Sequence, residues 1–228
     1  MIVLATVMAE TPLAEALIGR WVTRADQDHA ARRHHKAARH HSLLARAGLR
    51  ALLFQHSGQN EWYFHADGRG KLSARDAQGC DGPAICLAHT QGIVACAIGS
   101  GGGKPMAIGV DIEIHRPRNI LAIAQWSFGP QECAQVANED IAAFYRIWTL
   151  REAMGKTTGQ GLALAADRRD RTEDGPATGL WRKRIDRQDW LLGHFRPTPS
   201  ISLAIAGLVP HGDMDIGTAL CWQDLGAI

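Results

Sequence analysis

No apolar run in the 228 residues approaches the roughly 18 that read as a membrane-spanning helix, so none is expected. The opening segment, Met1 to Glu10, is apolar but lacks a basic n-region and a cleavage site. It reads as a first strand, not a signal peptide. Cysteine is sparse and odd in number: Cys80, Cys86, Cys96, Cys133 and Cys221 match no zinc or redox spacing. They read as reduced, buried or half-buried thiols, which points to the cytoplasm. Net charge is only +2, so the chain as a whole is not a polyanion binder, and neither nucleic acid nor membrane is expected as a partner. No low-complexity linker separates the halves.

What is present is an ordinary globular composition, 46% apolar and 21% charged, enough for one large domain or two small lobes. Charge is uneven: residues 24 to 50 hold seven Lys or Arg, five His and two Asp. Strands are expected at 2–8, 62–65, 84–98 around a His-Thr-Gln-Gly corner, 106–114, 190–195 and 200–208. Residues 93–114 read as a hairpin, and 68–71, 167–174 and 182–189 as turns. Helices are expected over Asp28–Leu53 as one long element, over 130–136, and over Asp140–Thr157, stopped near Gly159 and Gly161. Ile85-Cys-Leu-Ala and Ile201-Ser-Leu-Ala form a faint internal echo. The fold expected is α+β, in two similar lobes that each pair a helix with an antiparallel sheet. Residues 1–115 form the first lobe and 116–228 the second, joined near Ile114 to Asn119.

Two segments can carry chemistry. In Gly109-Val-Asp111-Ile-Glu113, residues two apart on a strand share a face, so Asp111 and Glu113 stand side by side. Adjacent carboxylates repel unless a cation separates them, and oxygen-only ligands favour Mg²⁺ with substrate phosphates. An edge strand with a solvated acidic face would give the same spacing. In Trp148-Thr-Leu-Arg-Glu152-Ala-Met-Gly-Lys156, positions four apart on a helix line up an aromatic, a carboxylate and an ammonium. An amphipathic helix with an ordinary Glu-Lys pair would look alike. Taken together, Glu152 can complete a three-carboxylate shell or take a proton from an attacking hydroxyl, while Lys156 holds a phosphate oxygen. Phosphoryl transfer needs mainly such positioning and charge neutralisation.

The pair of motifs, in this order and some 35 residues apart, resembles the signature of the surfactin-type (Sfp-type) 4′-phosphopantetheinyl transferases. Further residues agree: Ala88-His89-Thr90 resembles that family's Ser-His-Ser corner, Gly70-Lys71 its Gly-Lys-Pro turn, and His35-Lys36 with His41-Ser42-Leu43-Leu44 its coenzyme A-binding helix. Ala88 stands in place of Ser and Leu72 in place of Pro. The resemblance covers residues 24 to 165. It implies a monomer with the active site at the lobe interface, and transfer of phosphopantetheine from coenzyme A to a serine of an apo acyl or peptidyl carrier protein. Adenosine 3′,5′-bisphosphate is released. It implies Mg²⁺, or Mn²⁺ in its stead, on Asp111, Glu113 and Glu152. Coenzyme A is expected on Lys36, His41, Ser42, Gly70, Lys71, Ala88, His89, Asp111 and Lys156, with Glu152, Lys156 and His89 as catalytic groups. Two other classes stay open: a Mg²⁺-dependent hydrolase of nucleotides or coenzyme A, and a non-catalytic module binding coenzyme A or nucleic acid through residues 24–50.

Other features carry less. Helical spacing spreads His29, His34, His35, His40 and His41 around an axis, as expected of titrating surface groups. Gly99-Ser-Gly-Gly-Gly-Lys104 fails the phosphate-loop pattern, because Ile98 replaces its first Gly and Pro105 follows the Lys. It reads as a hairpin turn. Arg168-Arg-Asp-Arg171 mixes signs with Asp167 and reads as a solvated turn.

Overall fold

A computed structural model describes residues 2–9, 12–101, 104–165, 167–172, 174–209 and 219–224. The chain divides into two compact units, residues 1–106 with 214–228, and residues 107–213. In chain order the first unit runs β1 (Ile2–Ala9), α1 (Pro12–Trp21), α2 (Arg24–Ala31), α3 (Lys36–Ser57), β2 (Trp62–Ala66), β3 (Leu72–Asp76), β4 (Ala84–Thr90), β5 (Ile93–Gly101) and β6 (Lys104–Pro105). The second runs β7 (Ile108–Ile114), α4 (Ile120–Ser127), α5 (Pro130–Asn138), α6 (Ile141–Thr158), α7 (Leu162–Ala165), β8 (Gly179–Ile185), β9 (Gln188–Phe195) and β10 (Ile201–Val209). A last strand, β11 (Ala219–Asp224), returns to the first unit.

In the first unit the sheet order is β11-β1-β5-β4, with β6 beside β5 and the hairpin β2-β3 apart. All pairings are antiparallel except β1 with β11. Leu44, Leu49, Leu52 and Leu53 of α3 recur on one helix face and pack against Ile85, Val94, Cys96 and Ile98 of the sheet. Each such leucine contributes about 1.5–3 kcal/mol by leaving water.

The long helix expected over Asp28–Leu53 is two helices, broken at Arg32–His35. The break has an electrostatic reason. Asp26 of α2 accepts from Arg50 Nε at 2.8 Å and lies 3.5 Å from Arg46, both on α3. In one continuous helix Asp26 and Arg50 would stand roughly 36 Å apart. The pair is buried, and Phe64 lies under both guanidinium groups, 5.1 Å from Arg46 and 4.8 Å from Arg50.

The second unit is a four-stranded antiparallel sheet, β7-β10-β9-β8, backed by α6. Leu150, Ala153 and Met154 of α6 meet Trp190, Leu192, Ala204 and Ala206 of the sheet. Other positions of the same helix, Phe144, Tyr145 and Ile147, pack with Ala124, Phe128 and Val136 of the α4–α5 region. Asp140 caps the helix by accepting from Ala142 N–H at 2.8 Å. At the other end Gly159 turns left-handed, φ +72°, and Gly161 N–H donates to Gly155 C=O at 3.1 Å.

Several expectations are corrected here. Residues 93–114 are not one hairpin: β5 pairs with β4, β1 and the two-residue β6, while β7 pairs with β10. The joint expected after Ile114 would place β7 in the first lobe. Its hydrogen bonds to β10 tie it to the second unit, which begins at Ala107. Charged residues 182–189 are mostly strand, turned at Asp186 and Arg187, whose φ angles are +51° and +64°. Alternating charge on an exposed hairpin resembled a loop. Residues 102–103 of the glycine-rich segment lie outside the described residues.

Candidate active site

The paired carboxylates and the Trp148–Lys156 helix meet within the second unit. Asp111 pairs in register with Ala204 of β10, and Glu113 with Ser202, so small side chains stand beside both. Lys156 Nζ donates to Asp111 Oδ1 at 2.8 Å and to Val110 C=O at 3.0 Å. The close seating of α6 on β7 depends on Gly109, where an added Cβ would lie 2.0 Å from Ala153 C=O. Thr157 fixes the same contact by donating to Ala206 C=O at 3.0 Å.

Asp111 is only 7% exposed, so the solvated acidic face is excluded, although β7 is an edge strand. Its Oδ2 and the Oε1 of Glu152 are buried without a hydrogen-bond partner. Burial raises the Asp111 carboxyl above its usual range, against the lowering pull of Lys156. Burial, then the Asp111 charge, raises both Glu113 and Glu152. Three carboxylates therefore share one strained electrostatic environment.

Among the described residues no group of three or more His, Cys, Asp or Glu is gathered closely enough to hold a metal ion. One oxygen of Asp111 faces Lys156, and Glu113 and Glu152 both lie near enough for the Asp111 charge to raise their carboxyls. The donor chemistry suits a hard divalent cation, because two buried carboxylate oxygens, Asp111 Oδ2 and Glu152 Oε1, have no hydrogen-bond partner.

Residue-by-residue reading of the sequence missed the scaffold behind this group. Arg151, next to Glu152, is fully buried and donates to Glu132 at 2.8 Å, to Ser127 C=O at 2.9 Å, to Leu164 and Arg169 C=O, and to Asp167 C=O. Glu132 also accepts from Arg171 N–H, Thr172 N–H and the Thr172 hydroxyl. One buried ion pair thus ties α6 to α5 and to the segment after α7. Residues 168–171, expected as a solvated turn, instead contribute buried Arg171 to it. A second polar chain runs beside Glu113. His194 Nδ1 faces the C=O of Ala177, so that nitrogen carries the proton and Nε2 accepts from the Ser202 hydroxyl at 3.1 Å. Ser202 in turn accepts from His115 Nε2 at 2.9 Å. No motif announces either network, since their members are far apart in sequence.

The other expected residues lie in the first unit. Lys36 opens α3 and is exposed, while His41 and Ser42 follow on the same helix, half-buried. His89 is exposed on β4, and its ring lies 5.8 Å from that of His41. Ala88 is buried and pairs with Ala95. Gly70, φ +81°, and half-buried Lys71 sit in the β2–β3 turn. The structure therefore gathers His41 with His89, and Asp111 with Lys156. Cys96 is buried and Cys86 and Cys133 half-buried, as expected, but Cys80 is exposed. Among the described residues no helix is long and apolar enough to cross a membrane.

An edge-strand Asp-x-Glu pair thus stands against a helix bearing Glu152 and Lys156 on an α+β scaffold. Residues 107–206, almost the whole second unit, match the family model of the 4′-phosphopantetheinyl transferase superfamily. A curated relative, the 4′-phosphopantetheinyl transferase HetI of Nostoc sp. (strain PCC 7120 / SAG 25.82 / UTEX 2576), is 31% identical over 105 residues. The aligned part is 44% of this chain and 43% of that relative, so the match spans less than half the length of either.

Proposed function

We propose that the protein is a Sfp-type 4′-phosphopantetheinyl transferase: it moves phosphopantetheine from coenzyme A to a serine of an apo acyl or peptidyl carrier protein. The observation that carries this is the bare, buried pair of oxygens on Asp111 and Glu152 beside Lys156, inside the segment that matches the superfamily. Asp111, Glu113 and Glu152 would hold a divalent cation, Mg²⁺ by the hardness of the ligands. Bound there, it supplies positive charge against the diphosphate. Lys156, Lys71 and His89 add positive charge to the phosphates, and Lys36, His41 and Ser42 bind the nucleotide end. The serine hydroxyl attacks the β-phosphorus in line. Its proton passes to Glu152, whose raised carboxyl suits a base, and adenosine 3′,5′-bisphosphate leaves. Transfer takes place in the cytoplasm, between a monomer and its carrier.

The carrier is proposed to dock beside the metal strand. Arg116 and Arg118 are exposed there, and α4 follows with Leu121 and Trp126 at 47% and 68% exposure. Cations flanking apolar side chains suit an acidic partner with an apolar face.

Incubation with coenzyme A, Mg²⁺ and a panel of apo carriers, read by intact mass, tests the reaction. A gain of one phosphopantetheine on a carrier is expected. Free phosphopantetheine released without a carrier would instead mark a hydrolase. Coenzyme A bound with no transfer to any carrier would mark a binding module.

A further inference from the structure

The turn that presents Lys71 is built by a side chain to which the proposed chemistry gives no role. Asp67 Oδ1 accepts from the backbone N–H of Arg69 at 2.8 Å and of Lys71 at 2.9 Å. Asp67 N–H donates to Lys71 C=O at 3.0 Å, and Gly70 N–H donates to Asp67 C=O at 2.9 Å. Both backbone polar groups of Lys71 are thus held by one residue. Gly70 takes the left-handed conformation, φ +81°, that lets the chain close around the carboxylate. The Lys71 and Arg69 amides hold the Asp67 carboxyl below its usual range.

The same device recurs at the other end of β3. Asp76 Oδ1 accepts from Gln78 N–H at 3.0 Å and Cys80 N–H at 2.8 Å. Asp76 N–H donates to Cys80 C=O, and Gly79 repeats the φ of +81°. The two five-residue loops, Asp67-Gly-Arg-Gly-Lys71 and Asp76-Ala-Gln-Gly-Cys80, differ in what they present. The first ends on an ammonium, the second on an exposed thiol roughly 15 Å further along the strand.

We propose that Asp67 is a positioning residue for Lys71, fixing the backbone from which the Lys71 ammonium reaches a phosphate of coenzyme A. The proposal rests on the reading of the reaction given above. The acceptor oxygen is what matters; the negative charge opposes an anionic ligand. Asn at position 67 therefore preserves the function and Ala does not.

Calorimetric titration of the full chain with coenzyme A tests this, with thermal midpoints as the control for folding. Asp67→Ala is expected to weaken binding about fivefold, the worth of a lost hydrogen bond near a charged group. Asp67→Asn should bind within about twofold of the unsubstituted protein or more tightly, and Asp76→Ala should bind unchanged. Lys71→Ala should weaken binding at least as much as Asp67→Ala, and the Asp67→Ala/Lys71→Ala double variant no further than Lys71→Ala alone. The proposal is overturned if Asp67→Ala binds normally while Lys71→Ala does not, if the two losses add, or if Asp76→Ala weakens binding equally. Normal binding by Lys71→Ala overturns it too, by removing Lys71 from the site. An unsubstituted protein that binds no coenzyme A brings down the reading of the reaction and this inference with it.

Discussion

Gly109→Ala is the sharpest probe of how the second unit builds its site. The added Cβ would lie 2.0 Å from Ala153 C=O, 2.7 Å from Thr157 Oγ1 and 2.8 Å from Thr157 N. Two of the three atoms are backbone of α6, so no rotamer change relieves them. The helix must retreat by more than an ångström before the closest contact becomes an ordinary one. That movement loosens the Thr157 hydrogen bond to Ala206 and the 2.8 Å contact between Lys156 and Asp111. Overpacking of this kind costs about 1–3 kcal/mol, and the lost hydrogen bonds add about 1 kcal/mol. For a domain of this size the melting midpoint should fall by roughly 5–10 °C. Carrier modification should fall with it, even at temperatures where circular dichroism shows the chain folded. A variant within about 0.5 kcal/mol of the unsubstituted protein in urea, with unchanged transfer, would refute the claim that α6 is seated on this glycine.

Asp111→Asn keeps an oxygen for Lys156 but removes the buried charge. The melting midpoint should hold or rise while the carrier gains no mass; full transfer would take Asp111 out of the site. Glu132→Ala strands the guanidinium of Arg151, and a loss of about 3–5 kcal/mol in chemical denaturation is expected; a loss under about 1 kcal/mol would show the pair to be dispensable. His194 is 1% exposed and its pKa is lowered to about 4, chiefly by burial. The unfolded chain therefore binds a proton below about pH 6.5 that the folded chain takes up only near pH 4. Stability should fall by about 2 kcal/mol between pH 8 and pH 5 on this account, and His194→Gln should lack that component of the pH dependence. Reversing both Arg116 and Arg118 to Glu should raise the KM for an acidic carrier while leaving that for coenzyme A unchanged; unaltered carrier affinity would move the docking surface elsewhere.

The sequence by itself determined the elements whose signals are local. Asp140 as a cap and Gly159 as a left-handed stop delimit α6, and short apolar runs set off by charged or turn-forming residues mark β9 and β10. It also determined that Asp111 and Glu113 share a face, because the period of a strand is two. Pairing belonged to the tertiary structure. The hairpin expected over 93–114 failed because β7 finds a better partner in β10, some 90 residues on, and no nearby residue encodes that choice. The single helix expected over 28–53 failed because Asp26 gains Arg46 and Arg50 only if the chain folds back on itself. Burial was likewise invisible: Asp111 and an exposed aspartate on an edge strand read alike, until α6 covers one of them. The scaffold of Arg151 and Glu132 and the chain through Ser202 join residues 8 to 87 positions apart in sequence. Local propensity fixes which segments are helix or strand. Only packing decides which polar atoms lose water, and therefore which of them are left to act on a ligand.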